Sequence, residues 1–438
     1  MDVLRIRGGV PLSGVVSASG SKNAALPIMA SCLLAHGRTQ LERVPDLVDV
    51  HTLRQLLTDI GCHIESHQDG VLSIEVAEES SSEAEYELVR KMRASVCVLG
   101  PLLAKRGFAR VSLPGGCQIG HRPIDLHLQG LSALGADIEI RNGSVVASAT
   151  QLRGARVTMS GAFGSSVTGT CNVMSAATLA RGTTVIDAAA QEPEVVALAE
   201  FLNAMGAKIE GAGTETIEIQ GVEALEGTTF TIIPDRIEAA TLLIAGAITR
   251  GSLTVNELCL AHLEAVLELL SDIGVCVETS GNDAVRVEAG KNSFRPLRVS
   301  AVPYPGVPTD VQAQLMAFLS TIRGQSSIRD QVFPDRFIHC AELNRMGASI
   351  QQFGNRAVIR GVDRLQGAHV MASDLRASAA LVLAGLVAQG ETVVRRIYHL
   401  DRGYEALERK LRCVGADIER MDAADCLNPP QTELRYTA

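Results

Sequence analysis

Two segments in the first third of the chain carry side chains suited to acid–base chemistry or to anion binding. Lys22 follows a Gly-Ser pair and leads into an apolar run, so its ammonium is placed to bind a phosphate, although the G-x-x-x-x-G-K spacing of a P-loop is absent. Cys117 stands in a glycine-rich segment, with His121 and Arg122 just after it. Nearby cations lower the pKa of a thiol, so Cys117 is a candidate acid or nucleophile, with an inert buried cysteine as the alternative.

Two further segments in the second half of the chain complete a plausible reaction centre. Asp310 follows two prolines at the expected start of a helix, where it could accept a hydroxyl proton or simply cap the helix. Arg376 and Arg402 carry guanidinium forks that bind carboxylate or phosphate through two hydrogen bonds. The neighbouring Arg395 and Arg396 are also compatible with a solvated run of charge. Together the four segments offer a proton donor, a base and cationic clamps.

The helices and strands that must position these residues recur along the sequence as an internal repeat. A phrase of the type Leu-x-x-x-Gly, typical of a helix closed by a left-handed glycine, recurs six times at intervals of 68 to 74 residues. Each copy is preceded by an apolar helix that also ends in glycine and leads into a strand-like segment. The six closing glycines are Gly61, Gly135, Gly206, Gly274, Gly347 and Gly415.

The first helix of each unit is nearly all apolar, which predicts that it is buried on all sides, with sheets outside. A polar or charged residue stands at the expected start of each such helix, where unpaired N–H groups and partial positive charge favour an anion. For any one of these residues an ordinary helix cap is the alternative. The six are Lys22, Arg93, Ser166, Arg236, Asp310 and Arg376.

Six units divide naturally into three and three, which predicts two inside-out α/β domains. We place the first at 22–233, including the cysteine segment, and the second at 1–21 together with 234–438. A cleft between the domains would collect the helix starts and would suit a ligand with several anionic groups.

Composition narrows the class of protein. The chain has 438 residues, a formal net charge of −9, no tryptophan and only 3% aromatic residues, which disfavours a nucleic-acid partner. It shows neither a signal-peptide pattern nor an apolar run of membrane-spanning length. Ten cysteines occur without C-x-x-C or His/Cys ligand spacing, which favours a reducing, cytoplasmic location and predicts no structural metal.

Four motifs together resemble the UDP-N-acetylglucosamine 1-carboxyvinyltransferases. They are Gly20-Ser-Lys22-Asn23-Ala-Ala-Leu-Pro, Leu-Pro-Gly-Gly-Cys117-x-Ile-Gly-x-Arg-Pro-x-Asp-Leu, Pro-Thr-Asp310-x-Gln-Ala-Gln, and Asp374-Leu-Arg-Ala-Ser with Ile-Tyr-His-x-Asp-Arg402-Gly-Tyr. The resemblance covers residues 3 to 420. It implies two inside-out domains of threefold internal symmetry, and transfer of the enolpyruvyl group of phosphoenolpyruvate to the 3-hydroxyl of UDP-N-acetylglucosamine, the first committed step of peptidoglycan synthesis.

The resemblance also implies roles by position. Lys22, Arg122 and Arg402 would bind the anionic groups of phosphoenolpyruvate, Cys117 would protonate its methylene carbon and be alkylated by the epoxide fosfomycin, and Asp310 would take the hydroxyl proton. No metal, cofactor or obligatory protein partner is implied. The remaining substrate-binding residues would be Asn23, Arg93, Pro123, Ile124, Asp125, Leu126, Ser166, Val332, Asp374 and Arg376.

Two departures from the family pattern bear on specificity. The third unit reads Gly161-Ala-Phe-Gly-Ser-Ser-Val-Thr-Gly169, without the lysine found in many members. Pro334 stands where many members have an acid, and whether Asp335 compensates for its loss is left open. The altered third unit leaves open an enolpyruvyl transferase acting on another nucleotide or UDP-sugar. A shikimate-pathway transferase and a non-catalytic binding protein are further alternatives, both disfavoured by Cys117 and Asp310. The tail from Met421 to Ala438 receives no function.

Overall fold

The structure, a computed structural model, describes residues 2–78, 81–113, 124–162, 164–290 and 293–424. Cys117, Arg122 and Pro123, three of the predicted site residues, lie outside these ranges. Of the helices that the structure describes, none combines the length and apolar character that a membrane span requires.

Apart from the four-residue helix α3, the α-helices occur in pairs along the chain, one buried and one covering. The α-helices are α1 (Lys22–Ser31), α2 (Val48–Asp59), α3 (Tyr86–Val89), α4 (Leu99–Arg106), α5 (Asp125–Ala133), α6 (Val167–Ala177), α7 (Pro193–Ala204), α8 (Arg236–Ile248), α9 (Glu264–Ile273), α10 (Gln312–Leu319), α11 (His339–Arg345), α12 (Leu375–Val387) and α13 (Leu407–Cys413). Short 3₁₀ helices span Cys32–Leu34, Arg93–Val98, Leu260–His262, Thr309–Val311 and Ile397–Arg402.

The strands are short and are distributed along the whole chain. They are β1 (Asp2–Arg7), β2 (Ser13–Ser17), β3 (Ala35–His36), β4 (Arg38–Glu42), β5 (Cys62–Ser66), β6 (Leu72–Val76), β7 (Glu83–Ala84), β8 (Phe108–Ser112), β9 (Asp137–Arg141), β10 (Ser144–Ser148), β11 (Arg156–Thr158), β12 (Ser160–Gly161), β13 (Gly164–Ser165), β14 (Thr183–Asp187), β15 (Lys208–Glu210), β16 (Thr216–Gln220), β17 (Leu225–Glu226), β18 (Thr229–Thr231), β19 (Ser252–Asn256), β20 (Cys276–Ser280), β21 (Ala284–Glu288), β22 (Arg298–Ala301), β23 (Gln325–Asp330), β24 (Ser349–Phe353), β25 (Arg356–Arg360), β26 (His369–Met371), β27 (Glu391–Arg395) and β28 (Asp417–Asp422).

Over the described ranges these strands form six four-stranded sheets with one shared pattern. In each sheet the first two strands are parallel and the following two pairings are antiparallel. The orders are β18-β4-β6-β5, β7-β8-β10-β9, β11-β14-β16-β15, β2-β19-β21-β20, β22-β23-β25-β24 and β26-β27-β1-β28. The six predicted units are therefore present as six sheets of the same topology.

The glycines that close the second helix of each unit behave as predicted. All six have φ between 86° and 107°, the left-handed region that a residue with a Cβ rarely adopts. Among the glycines after the first helices, Gly251 differs, because Arg250 adopts the left-handed conformation one residue earlier, with φ 55°. Gly251 is required for a different reason, since a Cβ there would lie 2.0 Å from the carbonyl oxygen of Leu12.

The buried residues form two hydrophobic cores, one drawn from residues 24–232 and the other from residues 4–18 and 237–418. The helices α1, α4 and α6 pack in the first core, and α8, α10 and α12 pack in the second. Every residue of α8 and α10 is buried. The inside-out α/β architecture predicted from the all-apolar helices is confirmed.

The chain passes between the two cores at two adjacent segments. Ser21 N donates to Ile233 O at 2.7 Å, and Asp235 N donates to Ser19 O at 2.9 Å, so the two passages pair with each other. Gly20 lies so close to the next segment that a Cβ would stand 1.9 Å from the carbonyl oxygen of Arg43. The domain boundaries after residues 21 and 233 stay a prediction, since the two cores do not by themselves define folding units.

Candidate active site

Lys22 is the first residue of α1, as the sequence predicts for a lysine that leads into a buried helix. Ser21 caps this helix, accepting a hydrogen bond from Ala24 N at 3.3 Å. The side chain of Lys22 is only 12% exposed. Asn23, its neighbour in the first turn, is partly buried. The cap orients α1 so that an ammonium stands at its buried, positively polarised end, a combination that favours an anion.

Lys22 shares a carboxylate with an arginine from the other core. Asp49, in the first turn of α2, has a side chain only 4% exposed. Its Oδ2 accepts from Lys22 Nζ at 3.4 Å and from Arg402 Nη2 at 3.5 Å, and its Oδ1 accepts from Arg402 Nε at 2.8 Å. We call Asp49, Lys22 and Arg402 the Asp49 cluster. It brings together two of the predicted catalytic cations, which are 380 positions apart in the chain.

Asp310 lies between two arginines of the second core. Its Oδ1 accepts from Arg336 Nη1 at 2.6 Å, and its Oδ2 accepts from Arg376 Nη2 at 2.9 Å. Although burial by itself would raise the pKa of Asp310, the two guanidinium groups hold that pKa well below the usual range of an aspartate. The carboxylate is therefore ionised throughout the neutral range and can accept a hydrogen bond, but it is a weak base while both arginines contact it.

A buried polar network supports Asp310 and Arg376 from behind. Gln314 Nε2 donates to the backbone oxygen of Asp310 at 2.9 Å and to Tyr404 Oη at 3.0 Å. The guanidinium of Arg376 lies 5.3 Å from the centre of the Tyr404 ring. Among the described residues, Nε and Nη1 of Arg376 are buried without a hydrogen-bond partner. A buried donor without a partner is costly, so these N–H groups favour any acceptor that comes within their reach.

Asp374 acts as the cap of α12 in this structure. Its Oδ1 accepts from Arg376 N at 2.9 Å and from Ala377 N at 3.1 Å. The residue is 3% exposed, so its carboxylate is committed to the helix start. The geometry assigns Asp374 a supporting position beneath Arg376.

The charges of these residues influence one another across the two cores. Burial lowers the pKa of Lys22, Asp49 and Asp310 raise it, and Arg376 and Arg402 lower it. Such mutual effects require short separations in a poorly solvated place. Four of the predicted residues, Lys22, Asp310, Arg376 and Arg402, therefore lie in one electrostatic cluster.

A second group of predicted residues surrounds His127. This histidine on α5 contacts Thr168 Oγ1 at 3.1 Å through Nε2 and Asn172 Nδ2 at 3.0 Å through Nδ1. Burial, with a contribution from Arg93, lowers its pKa to about 3, so the ring is neutral. Ser166 caps α6 by accepting from Gly169 N at 3.1 Å, which is the ordinary cap weighed above. Ile124, Asp125 and Leu126 form the start of α5 beside the same histidine.

The altered third unit forms a small hairpin of β12 and β13. A Cβ on Gly161 would lie 3.5 Å from Leu126, and one on Gly164 would lie 3.1 Å from Pro303 of the second core. The hairpin therefore occupies the space between a predicted nucleotide contact and the opposite core. Phe163 lies outside the described residues.

The segment with Pro334 is held by an acid that the sequence analysis did not single out. Asp330, fully buried, accepts from Val332 N at 2.9 Å and from Thr309 Oγ1 at 2.6 Å. Asp335 is exposed. Arg336, by contrast, reaches Asp310, so the side chain beside the predicted base comes from this segment even though the acid at 334 is absent.

A second buried ion pair joins the two cores. Arg236, the first residue of α8, donates through Nε and Nη2 to the two carboxylate oxygens of Glu194 at 3.0 and 3.2 Å. Glu192 lies beside them, with Oε2 buried and without a partner among the described residues. Burial raises the pKa of Glu192, and Glu194 adds to the rise. We call Glu194, Arg236 and Glu192 the Glu194 cluster.

Comparison with known proteins places this chain among enolpyruvyl transferases. Residues 6–411 match the model of the EPSP synthase (3-phosphoshikimate 1-carboxyvinyltransferase) family. UDP-N-acetylglucosamine 1-carboxyvinyltransferases are similar over nearly the whole chain: that of Methylacidiphilum infernorum is 50% identical over 96% of this chain and 99% of its own, and that of Myxococcus xanthus is 51% identical over 97% and 100%. The chain belongs to this family of carboxyvinyltransferases.

Solved structures agree with the membership. The enolpyruvyl transferase NikO from Streptomyces tendae has a TM-score of 0.87 and 28% identity, covering 96% of this chain and 99% of its own. An EPSP synthase from Acinetobacter baumannii, 18% identical, shares the fold with a TM-score of 0.76 over 96% of this chain and 100% of its own. Within the described residues no group of three or more His, Cys, Asp or Glu side chains is arranged to hold a metal ion.

Proposed function

We propose that this carboxyvinyltransferase moves the enolpyruvyl group of phosphoenolpyruvate onto the 3-hydroxyl of UDP-N-acetylglucosamine and releases inorganic phosphate, as the first committed step of peptidoglycan synthesis. The observation that carries the proposal is the buried meeting of Lys22, Arg402, Arg376 and Asp310 in one electrostatic cluster. About half-identity to named relatives over nearly all of the chain supports the choice of substrates.

The reaction has two steps. In the addition, a proton joins the methylene carbon of phosphoenolpyruvate, the sugar oxygen bonds to the adjacent carbon, and the hydroxyl proton leaves. In the elimination, the methyl carbon loses a proton, the double bond forms again, and the bond between carbon and the phosphate oxygen breaks. Charge develops on the phosphate and carboxylate, where fixed cations are most effective.

Lys22 and Arg402 are proposed to bind these anionic groups, together with Arg122, which lies outside the described residues. The two come from opposite cores, so an anion bound between them would hold the cores together and exclude water. Arg376 has buried N–H groups without a partner in the described ranges and is proposed to add a further contact. Asn23 would complete this part of the site.

Asp310 is proposed to receive the proton of the sugar hydroxyl. It is ionised at neutral pH, so it needs no prior deprotonation, but its two arginine partners limit its strength as a base. A substrate anion that draws Arg376 away would raise the basicity of Asp310 at the moment when the hydroxyl is in place. Cys117 is proposed as the acid at the methylene carbon.

The nucleotide part of the substrate is proposed to lie against the group around His127. Arg93, Ser166 and residues 123–126 are proposed to contact the nucleotide from the first core, and Val332 and Asp374 from the second. The β12–β13 hairpin takes the place of the lysine found in many family members, so backbone N–H groups and the hydroxyls of Ser165 and Ser166 would contact the diphosphate.

The decisive experiment measures phosphate release with phosphoenolpyruvate and UDP-N-acetylglucosamine, with and without fosfomycin. We expect turnover that fosfomycin abolishes, and a Cys117→Ser variant that reacts with fosfomycin slowly or not at all. UDP-glucose, UMP and shikimate 3-phosphate serve as competing acceptors. A preference for one of them would replace the proposed acceptor, and tight UDP-sugar binding without turnover would contradict an enzymatic role.

A further inference from the structure

Asp49 occupies a position that the proposed chemistry does not explain. Its side chain is 4% exposed, yet it forms no helix cap and lies in the first turn of a covering helix. Both carboxylate oxygens point to cations: Lys22 of its own core and Arg402 of the other. Burying a carboxylate in this way is costly unless it is paired, so the two cations and Asp49 fix one another.

Most of the other carboxylates near the Asp49 cluster are engaged by groups outside it. The ionisable groups that influence Lys22 are Asp49, Arg402, Arg376 and Asp310, and Asp235 accepts from its backbone N–H at 3.4 Å. The 3₁₀ helix at Arg93–Val98 and α7, with Glu194 and Glu200, also pack against α1. Asp310 is engaged by Arg336 and Arg376, and Glu194 by Arg236. Asp49 is therefore the carboxylate that Lys22 and Arg402 share.

We propose that Asp49 is a positioning residue, which holds Lys22 and Arg402 from opposite cores at the spacing needed to bind one anionic substrate, a molecule with phosphate and carboxylate groups. The inference rests on the proposed function and deepens it. Asp49 itself does not touch the reacting atoms. Its carboxylate fixes the direction of the Arg402 guanidinium through Nε and raises the pKa of Lys22, which burial lowers.

A different role for Asp49 makes opposite predictions. If Asp49 only occupied the anion site until substrate arrived, removing its charge would strengthen binding of phosphoenolpyruvate. If Asp49 is a positioning residue, its loss must weaken the binding of phosphoenolpyruvate. Lys22 and Arg402 would then repel each other, and Lys22 would lose its proton more easily. The sign of the change in KM separates the two roles.

The test compares Asp49→Asn, which keeps the shape and removes the charge, with Asp46→Asn. Asp46 stands three residues earlier, and its side chain is 76% exposed. For Asp49→Asn we expect KM for phosphoenolpyruvate to rise at least ~10-fold with a smaller change in kcat, and the alkaline limb of the kcat/KM profile to move to lower pH. Asp46→Asn should match the wild type, and Asp49→Glu should restore part of the alkaline limb.

A second measurement does not depend on turnover. Reductive methylation with formaldehyde, followed by peptide mass spectrometry across a pH series, reports the fraction of Lys22 that is unprotonated. Asp49→Asn should shift the methylation profile of Lys22 to lower pH and leave that of Lys410 unchanged. Circular dichroism on each variant establishes that the fold is intact.

The outcomes are distinguishable. An active wild type with an Asp49→Asn variant that matches Asp46→Asn in KM, pH profile and methylation overturns the role of Asp49 alone. A lower KM for phosphoenolpyruvate in Asp49→Asn overturns it in favour of simple occupancy. An inactive wild type overturns the proposed function, and the shift in Lys22 methylation then decides by itself whether Asp49 controls the lysine.

Discussion

The Asp49 cluster and the Glu194 cluster share one arrangement of helices and differ in their balance of charge. In each, a buried carboxylate in the first turn of a covering helix of the first core binds an arginine of the second core. Glu194 meets Arg236 through two bonds of similar length, 3.0 and 3.2 Å, and Glu192 adds a further carboxylate. Asp49 is divided between two cations, with one short and two long contacts.

This difference in charge balance indicates which of the two clusters can bind an anion. The Glu194 cluster already has more carboxylates than cations, so a phosphate there would be repelled. The Asp49 cluster has more cations than carboxylates, and Arg376, whose charge influences Lys22, has N–H groups without a partner among the residues that the structure describes. We infer that the Glu194 cluster holds the cores together, whereas the Asp49 cluster receives substrate. The predictions below separate these two roles.

The largest expected effect follows from removing the arginine of the Asp49 cluster. Arg402→Ala should lower kcat/KM for phosphoenolpyruvate by ~10³-fold, about 4 kcal/mol, because a fixed cation is lost from a poorly solvated site. Steady-state phosphate release checks this. Arg409→Ala, at an exposed position on α13, is the matched control and should be unaffected. If kcat/KM of Arg402→Ala falls by less than tenfold, the Asp49 cluster is not part of the substrate site.

The Glu194 cluster should respond in stability rather than in chemistry. Glu194→Ala leaves Arg236 buried without its partner, and breaking such a pair costs about 3 kcal/mol or more. We expect a clear fall in the urea midpoint of unfolding, measured by circular dichroism. The kcat of the folded enzyme should change by less than tenfold. The double variant Glu194→Leu/Arg236→Met should recover much of the midpoint. A larger fall in kcat without a loss of stability would instead show that the Glu194 cluster takes part in the reaction.

Asp310 belongs electrostatically with the Asp49 cluster, so it should respond in chemistry. Asp310→Ala should reduce kcat by ~10²-fold, as for the loss of a positioned base. The fold should survive, although Arg336 and Arg376 lose a partner. Rapid-quench measurement of the first turnover, beside Asp335→Ala as an exposed control, tests the step affected. Turnover equal to that of the wild type would exclude Asp310 as an essential base.

The sequence predicted the architecture well because each signal is local. Glycine at the end of a helix and an all-apolar helix both act within one turn or one face, so the six units and the buried helices were predictable. Four of the six predicted helix starts lie at the start of an α-helix for the same reason, whereas Arg93 and Asp310 lie in short 3₁₀ helices before α4 and α10. Asp49, Glu194 and Arg336 were missed because their partners lie far away in the chain, as with Asp49 and Arg402 at a separation of 353 residues.

One signal for the missed carboxylates was present in the repeat. Asp49, Glu194 and Asp335 each precede the closing glycine of their unit, Gly61, Gly206 and Gly347, by 12 residues. Asp49 and Glu194 are buried and pair with an arginine of the second core, whereas Asp335 is exposed. The repeat therefore marks a candidate position, but neither the burial of each acid nor the arginine that it meets follows from it.

The smallest expected effect concerns the surplus carboxylate of the Glu194 cluster. Because burial raises the pKa of Glu192, the folded protein binds its proton more readily than the unfolded chain does. The resulting contribution to stability is therefore present at low pH and is lost as the pH rises through the folded pKa. Glu192→Gln, which is neutral at every pH, should raise the unfolding free energy at pH 7 by about 1 kcal/mol, since the buried Oε2 of Glu192 has no hydrogen-bond partner among the described residues. The gain should shrink towards pH 4, where the wild type is protonated.

Urea midpoints at both pH values measure this gain in stability, and Glu200→Gln, an exposed change on α7, gives the baseline. A loss of stability at pH 7 would mean that ionised Glu192 strengthens the Glu194 cluster, and the contrast between a cluster with a surplus carboxylate and an anion site would then need a different physical basis.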